Sequence, residues 1–341
     1  MNESDREADV PAPAFAAPGD VAGMADAADP VIELSEVRKR FGRTVVLDGL
    51  GLQVRRGEVF GFLGRNGAGK STAIRVLMGI VPADAGQVRL FGQPLSSGVV
   101  AARRRIGYVA QDQNMYPWMT PRVLGRFVRG FYPRWDETRW RQLNAAFGLP
   151  MKRRLGTFSG GMKAKLALAL ALATRPELLI LDEPTAGMDP VARREFLDLV
   201  REQTARDGAT TFFSTHLIDE IEAIADRIAI VEGGRTLYQG PLAPLAERTV
   251  GYSIALRDDV PGTLPLGSQA PVARVLGDAP RLGRRQVVLQ LDGASSRDAE
   301  PLPGWRCEPL TLEDVFIAMV GGRGDRGGQG GQGGQGGMAA S

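Results

Sequence analysis

Cysteine and histidine occur once each, as Cys307 and His216, and aromatic residues make up only 6% of the chain. A single cysteine excludes an internal disulfide and any cysteine-held metal cluster, and it suits a reducing compartment. No apolar run approaches the roughly 20 residues that cross a bilayer. The first 30 residues set one basic residue, Arg6, against seven acids. That is the reverse of a secretory leader, which needs a basic start and an unbroken apolar stretch. These absences predict a cytosolic chain, brought to any membrane by another protein. The acidic start also hides an imbalance: it sums to −6, so residues 31–341 carry +9 of a net +3. A basic remainder favours anionic lipid or nucleic acid, although much arginine in such a chain is plain solvated surface.

What is present is an ordinary globular composition, 43% hydrophobic over 341 residues, enough for one large domain and a small one. Residues 1–30 are rich in Ala, Pro and Asp without apolar periodicity, and the Gly-Gly-Gln repeat after Gly321 is low complexity. Both are expected to be disordered tails. Residues 31–58 alternate apolar and polar with Gly42 and Gly57 as punctuation, which predicts an antiparallel hairpin. Gln87 to Phe91 and Ile106 to Ala110 read as further strands. Residues 120–147 switch to helical spacing, with Val123, Leu124, Phe127, Val128 and Phe131 on one side and a break at Pro133. Residues 161–174 form an Ala/Leu-rich buried helix. Leu178 to Leu181 is a continuous apolar run of strand length, as in a parallel sheet covered on both faces. A helix over 190–207, strands at Thr210–Thr215 and Ile228–Val231, and a Gly233-Gly234 turn into Thr236–Tyr238 complete an α/β pattern. Beyond it, Tyr252 to Leu256 and Gln286 to Leu291 are strand candidates, and Thr311 caps a helix to Val320.

The chemistry centres on Val59 to Leu63 followed by Gly64-Arg65-Asn66-Gly67-Ala68-Gly69-Lys70-Ser71-Thr72. Strand, glycine loop and helix in this spacing form a phosphate cradle. Glycines let backbone N–H groups approach phosphate oxygens, and the helix that Lys70 opens points its positive end at the same anion. Lys70 is expected at the β- and γ-phosphates and Ser71 at Mg2+. The strand Leu178–Leu181 delivers Asp182 and Glu183 side by side, one suited to Mg2+ and one to orienting the attacking water. His216 follows the strand expected beside Asp182, at the sheet edge where ligands bind, and is read as a γ-phosphate contact. Ser159-Gly160-Gly161 opens another helix; alone it could be a plain cap.

In this order the motifs resemble the ATP-binding subunit of an ABC transporter over about residues 31–240. Gly64 to Ser71 matches the Walker A loop, Gln111 the Q-loop glutamine, and Ser159-Gly160-Gly161 the signature sequence. Leu178 to Glu183 matches the Walker B strand, Ala186 to Asp189 the D-loop, and His216 the switch histidine. Phe41 stands where the family stacks an aromatic on adenine. The resemblance implies ATP and Mg2+ as ligands, with Ser71, Gln111 and Asp182 near the metal. It implies a P-loop NTPase fold with a mixed sheet, an antiparallel β subdomain and a helical insert at about 112–165; the strand and helix candidates after residue 240 are read as a small accessory α+β domain at 241–320. The resemblance also implies a site shared by two chains, a homodimer or a heterodimer with a related ATPase subunit, in which Ser159, Gly160 and Gly161 touch the partner's nucleotide, and it adds Asp189 of the D-loop to the nucleotide-binding residues. An integral membrane permease subunit is the further partner, with the chain peripheral on the inner face of the membrane and no nucleic acid bound. Phe158 and Met162 depart from the usual Leu-Ser-Gly-Gly-Gln, and methionine has no amide to donate. Met162 and the ending Leu312-Glu313-Asp314-Val315-Phe316 resemble the drug- and antibiotic-exporter branch. The aromatics Tyr116, Trp118, Phe131, Tyr132 and Trp135 fit either a surface for the membrane partner or buried core. A soluble ATPase of the same family, acting on ribosomes or DNA, is the alternative.

Overall fold

In the computed structural model, which describes residues 30–255, 272–281, 284–291 and 302–321, the alternation at the start folds as expected. Strands β1 (Ile32–Phe41) and β2 (Thr44–Val54) form an antiparallel hairpin. The chain then passes into β3 (Val59–Gly64) and α1 (Lys70–Leu77), and returns through β4 (Ala85–Leu90) and β5 (Gln93–Pro94) before α2 (Leu95–Arg103). The first sheet is antiparallel, in the order β2-β1-β4-β5.

The second sheet positions the site. It takes in β6 (Ile106–Val109), then α3 (Pro121–Arg129), α4 (Glu137–Ala146), α5 (Gly160–Ala173), β7 (Leu178–Asp182), α6 (Pro190–Asp207), β8 (Thr210–Thr215), α7 (Ile218–Ile224), β9 (Arg227–Glu232) and β10 (Arg235–Pro241). Its order is β10-β9-β3-β8-β7-β6, parallel except for β10. Every residue of β3, β7 and β8 is buried, which is why β3 and Leu178–Leu181 of β7 are apolar without alternation, whereas β8 buries Thr210, Thr211, Ser214 and Thr215 around Phe212 and Phe213. Each large aliphatic side chain so buried contributes about 1.5–3 kcal/mol. The carboxyl ends of β3, β7 and β8 therefore lie side by side, where α/β sheets place ligands.

The insert's helices start on the residues that local chemistry favours. Thr120 and Asp136 accept hydrogen bonds from the amides of Val123 and Arg139, and Pro121 occupies the first turn of α3. Pro133 falls in the break between α3 and α4. The five apolar residues expected on one side of α3 and its extension separate into two stripes. Leu124 is buried and Val128 half-buried, whereas Val123, Phe127 and Phe131 are exposed. Positions 123, 127 and 131 repeat every four residues, about 100° around the helix from 124 and 128. The aromatic cluster divides in the same way: Trp135 packs on buried Trp140 at 5.4 Å, while Tyr116 and Trp118 stack outside.

After α8 (Leu242–Glu247), strands β11 (Thr249–Ala255), β12 (Val272–Arg281), β13 (Arg284–Leu291) and β14 (Arg306–Glu308) form a third, antiparallel sheet in the order β12-β13-β11-β14, followed by α9 (Leu312–Gly321). Strand β12 was not expected, because Gly277 and Pro280 break its pattern. Thr311 caps α9, its Oγ1 accepting from the Asp314 amide at 3.2 Å. Leu312, Val315 and Met319 join the same buried cluster as Ile221 and Leu245. The expected tails fall outside the described residues, apart from Pro30 and Gly321, as does Leu256.

Glu177, at the entry to β7, ties three parts of the molecule together. It accepts two hydrogen bonds from Arg105, at 2.8 and 2.7 Å, and faces Arg56 at 3.3 Å and Arg134 of the insert at 3.2 Å. The Arg105 guanidinium, foremost among these, holds its carboxyl down to about 2 against an ordinary 4.5. A depressed carboxylate adds stability above its unfolded value and loses it as pH falls through the folded one. Glu177→Gln is expected to cost about 1–2 kcal/mol at pH 7, since two of the arginines are half in solvent. Urea unfolding checks this: the gap between wild type and variant narrows as pH drops from 4.5 toward 2. A gap that stays constant with pH refutes the assignment.

Candidate functional site

The loop 64–69 can take its path only with glycine at its tightest points. Gly69 sits at φ +101°, and a Cβ there would lie 2.9 Å from the Val46 carbonyl oxygen. At Gly64 a Cβ would meet the Val231 carbonyl oxygen at 2.6 Å. Both clashes are with backbone, so no side chain can yield to relieve them. The loop leads into α1, and it borders a cleft of about 540 Å³ that is also lined by the ends of β7 and β8. Asn66, Gly67, Gly69, Lys70, Ser71 and Thr72 all face this cleft.

Lys70 is buried. Its Nζ donates to the carbonyls of Gly64 at 2.8 Å and Arg65 at 3.2 Å, and pairs with Glu183 Oε1 at 3.0 Å. The other Glu183 oxygen, Oε2, lies 3.1 Å from His216 Nδ1. Lysine, glutamate and histidine thus form one connected chain across the mouth of β3, β7 and β8. Glu183 takes φ +43°, a left-handed conformation that costs a non-glycine residue free energy and persists only where neighbours enforce it. Its amide is held by the Ser214 carbonyl and hydroxyl, each at 3.1 Å. Asp182 Oδ1 accepts from Ser214 Oγ at 2.7 Å and from Ser71 Oγ at 3.3 Å. Burial pushes the Asp182 carboxyl above the usual range, with the two serine hydroxyls opposing and the Glu183 charge adding. Burial also pushes the Tyr108 phenol on β6 to about 12, with the Asp182 charge next in importance.

The cleft therefore brings together Lys70, Ser71, Glu183, His216 and Gln111, with Asp182 bonded to Ser71 behind them. Other expected residues stand apart from it. Phe41 is exposed at the end of β1 with Lys39 Nζ 5.5 Å from its ring, and the hairpin residue that lines the cleft is Val46 instead. Ser159 caps α5 by accepting from the Met162 amide at 3.3 Å; Ser159 and Gly160 are exposed, and neither they nor Gly161 line the cleft. Met162 packs half-buried against the core. Asp189 caps α6 through the amides of Val191 and Ala192, both at 3.0 Å, which hold its carboxyl below the ordinary range, Ala192 foremost. Sequence reasoning passed over Ser214, Thr185 and Arg193. Thr185 could have been read from its place two residues after Glu183; nothing local marks Arg193 or Ser214.

Among the described residues no group of three or more His, Cys, Asp or Glu side chains is arranged to hold a metal. The set present, Ser71 hydroxyl with Asp182 carboxylate and the nearby Gln111 amide, instead suits Mg2+. That ion is usually bound by one or two carboxylates, with substrate phosphates and water supplying the rest. No helix of the described residues is long and apolar enough to cross a membrane.

The chain matches a family model described as "ABC transporter" over residues 47–186, and an AAA domain model over 152–221. A Nod factor export ATP-binding protein I from Paraburkholderia xenovorans is 34% identical over 310 residues, covering 85% of this chain and 97% of the relative. The corresponding protein of Burkholderia thailandensis is 36% identical with the same coverage. Among solved structures, an ATP binding subunit of an ABC transporter is 30% identical at a TM-score of 0.57, covering 62% of this chain and 90% of that one. A component of an ABC transporter complex from Clostridium perfringens is 28% identical at a TM-score of 0.56, covering 62% and 89%. The P-loop NTPase fold read from the motifs is the fold of these structures, and the relatives are transporter subunits rather than ribosome- or DNA-acting ATPases. Because the likeness to the export proteins runs well past the cassette and spans nearly their whole length, the chain belongs to the ABC transporter family, as an ATP-binding and ATP-hydrolysing subunit.

Proposed function

We propose that this subunit powers export through an integral membrane permease by closing on ATP as a dimer, either with itself or with a related ATPase. The observation that carries this reading is the split of the motifs. Lys70, Glu183 and His216 share one cleft, while Ser159 and Gly160 stand exposed outside it at the start of α5. A half-site of this kind is completed by a second chain presenting its own Ser159-Gly160-Gly161, with Asp189 at the same seam. Export as the direction follows from the relatives, whose names describe export of Nod factor.

In this reading the Walker A amides and Lys70 bind the β- and γ-phosphates. Mg2+ would be held by Ser71 and Asp182 with Gln111 nearby, and when bound it supplies charge neutralisation for the leaving phosphate. Lys70 exchanges its contact with Glu183 for phosphate oxygens, which leaves the Glu183 carboxylate able to orient a water and accept its proton. His216 holds the γ-phosphate and steadies Glu183 through the 3.1 Å contact. Phe41, exposed at the end of β1, is available to adenine from outside the cleft.

The subunit works at the inner face of the membrane without entering it. The face that meets the permease is the exposed stripe of the insert: Trp118 at 66%, Phe127 at 50% and Phe131 at 62% exposure, with Tyr116 on Trp118 and Phe131 on Phe127. Exposed aromatics this close together favour an interface. Trp118→Ala with Phe127→Ala is expected to reduce co-purification with the permease by at least about tenfold, the loss of a typical aromatic hot spot. Basal ATP hydrolysis is expected to stay within about twofold, because neither side chain lines the cleft. Pull-down from co-expressed membranes and a phosphate-release assay check the two halves. Undiminished assembly overturns the docking face. A protein that stays monomeric with Mg-ATP and joins no membrane partner overturns the function.

A further inference from the structure

Glu220 lies in the first turn of α7, only 1% exposed, outside every motif described above. A carboxylate this deeply buried must be paired or fully hydrogen-bonded. Its Oε1 accepts from Thr185 Oγ1 at 2.5 Å, and its Oε2 accepts from Thr215 Oγ1 at 2.5 Å. Arg193 Nε, on α6, lies 3.4 Å from Oε1. The partners are informative by position. Thr185 stands two residues after Glu183, and Thr215 immediately before His216. Thr185 and Arg193 also bracket the loop 186–189. One side chain therefore ties together three of the segments that line the cleft.

Glu183 adds a reason for such a tie. Its left-handed backbone is held from one side by Ser214. Two residues later, the bond from Thr185 to Glu220 restrains the chain from the other side. Both threonines are themselves buried at the edge of the cleft, each 2% exposed. We propose that Glu220 is a positioning residue for hydrolysis: its two oxygens fix the segment after Glu183 against the segment before His216, and so set the separation of those two side chains. This rests on the reading that Glu183 and His216 are the hydrolytic pair. Glu220 does not line the cleft and acts through Thr185 and Thr215.

The role makes ordered demands on substitutions. Glutamine is as long, and its amide can accept from one threonine and donate to the other, so Glu220→Gln is expected to keep kcat within about threefold. Glu220→Asp is one methylene too short to span both hydroxyls, and Glu220→Ala removes them. Both are expected to lower kcat by about 100-fold, the scale of an ångström-sized misplacement of reacting groups. ATP affinity, set by the loop and Lys70, is expected to move by less than about threefold. Thr185→Val removes a single bond with almost no change of shape. It is expected to lower kcat about tenfold at unchanged melting temperature, which keeps the test decisive even where Glu220→Ala folds poorly.

The experiment measures steady-state ATP hydrolysis and equilibrium ATP binding on the full chain for Glu220→Gln, Glu220→Asp, Glu220→Ala, Thr185→Val and Glu183→Gln. Loss of kcat at preserved affinity in the aspartate and Thr185→Val variants, with rescue by glutamine, is the expected result. A residue that served stability alone would lower the melting temperature and leave the kcat of the folded fraction intact, which overturns the proposal. If Glu183→Gln itself retains full turnover, the underlying reading fails; if it is inactive while Glu220→Asp and Thr185→Val are not, only the positioning role fails.

Discussion

Glu183→Gln is expected to lower ATP turnover by about 10²–10⁴-fold, the contribution of a well-placed general base, while leaving ATP binding close to that of the wild type. Glutamine keeps the size of the side chain and its oxygen, so the backbone of this strained position need not move. What it loses is the charge that attracts a water proton and the ion pair with Lys70 at 3.0 Å. Losing that pair frees Lys70 for the phosphates, so affinity for ATP holds or rises slightly. A subunit that binds and cannot hydrolyse accumulates in its closed, nucleotide-bound form. Light scattering with Mg-ATP is therefore expected to find a stable dimer for Glu183→Gln and a shorter-lived one for the wild type. Phosphate release at the wild-type rate contradicts the role given to Glu183, and a monomer under these conditions contradicts the shared site.

Lys70→Met is expected to fail earlier, at binding. In the proposed reading Lys70 is the cation the loop aims at the phosphates; its Nζ bonds the Gly64 and Arg65 carbonyls and pairs with Glu183. Its loss is expected to weaken ATP binding at least about tenfold and to lower turnover by about 10³-fold or more, as when a preorganised charge is taken from a transition state. A second effect follows from burial. Methionine fills the space but leaves Glu183 in a largely buried site with His216 as its remaining partner, at a cost of about 1–3 kcal/mol. The melting temperature without nucleotide is therefore expected to fall in Lys70→Met and to recover in part in the double variant Lys70→Met, Glu183→Gln, where no charge is left unpaired. Additive losses in the double variant would mean that the two side chains do not depend on each other. Lys70→Arg is not expected to rescue turnover, because a planar guanidinium cannot occupy the space of a compact ammonium between two carbonyls.

Much of this site could be read along the chain because its parts are made by neighbours in sequence. Glycines 64, 67 and 69, then Lys70 and Ser71, form one continuous turn into a helix. Leu178 to Leu181 is apolar at every position because β7 is covered on both faces, and the two acids follow at its end. The sequence leads to the expectation that His216 ends a strand beside Asp182, and the structure pairs β8 with β7, Asp182 opposite Ser214. The split of α3 into an inner and an outer stripe was harder to see, since both stripes are apolar and only packing tells which one faces the core. Phe41, which the resemblance places at the nucleotide, is exposed at the end of β1, and Val46 of β2 lines the cleft.

Period and spacing alone specified the α/β class, the phosphate loop, the acidic strand end and the lone histidine, because each depends on chain geometry within a dozen residues. The tertiary structure decided the rest: that Glu183 lies between Lys70 and His216, that Ser214 holds Asp182 from 32 residues away, and that Glu220 reaches Thr185 from 35. Those contacts depend on which strands become neighbours and on how α7 packs against them. Strand order is set by burial summed over the whole sheet, and no local pattern of residues records it.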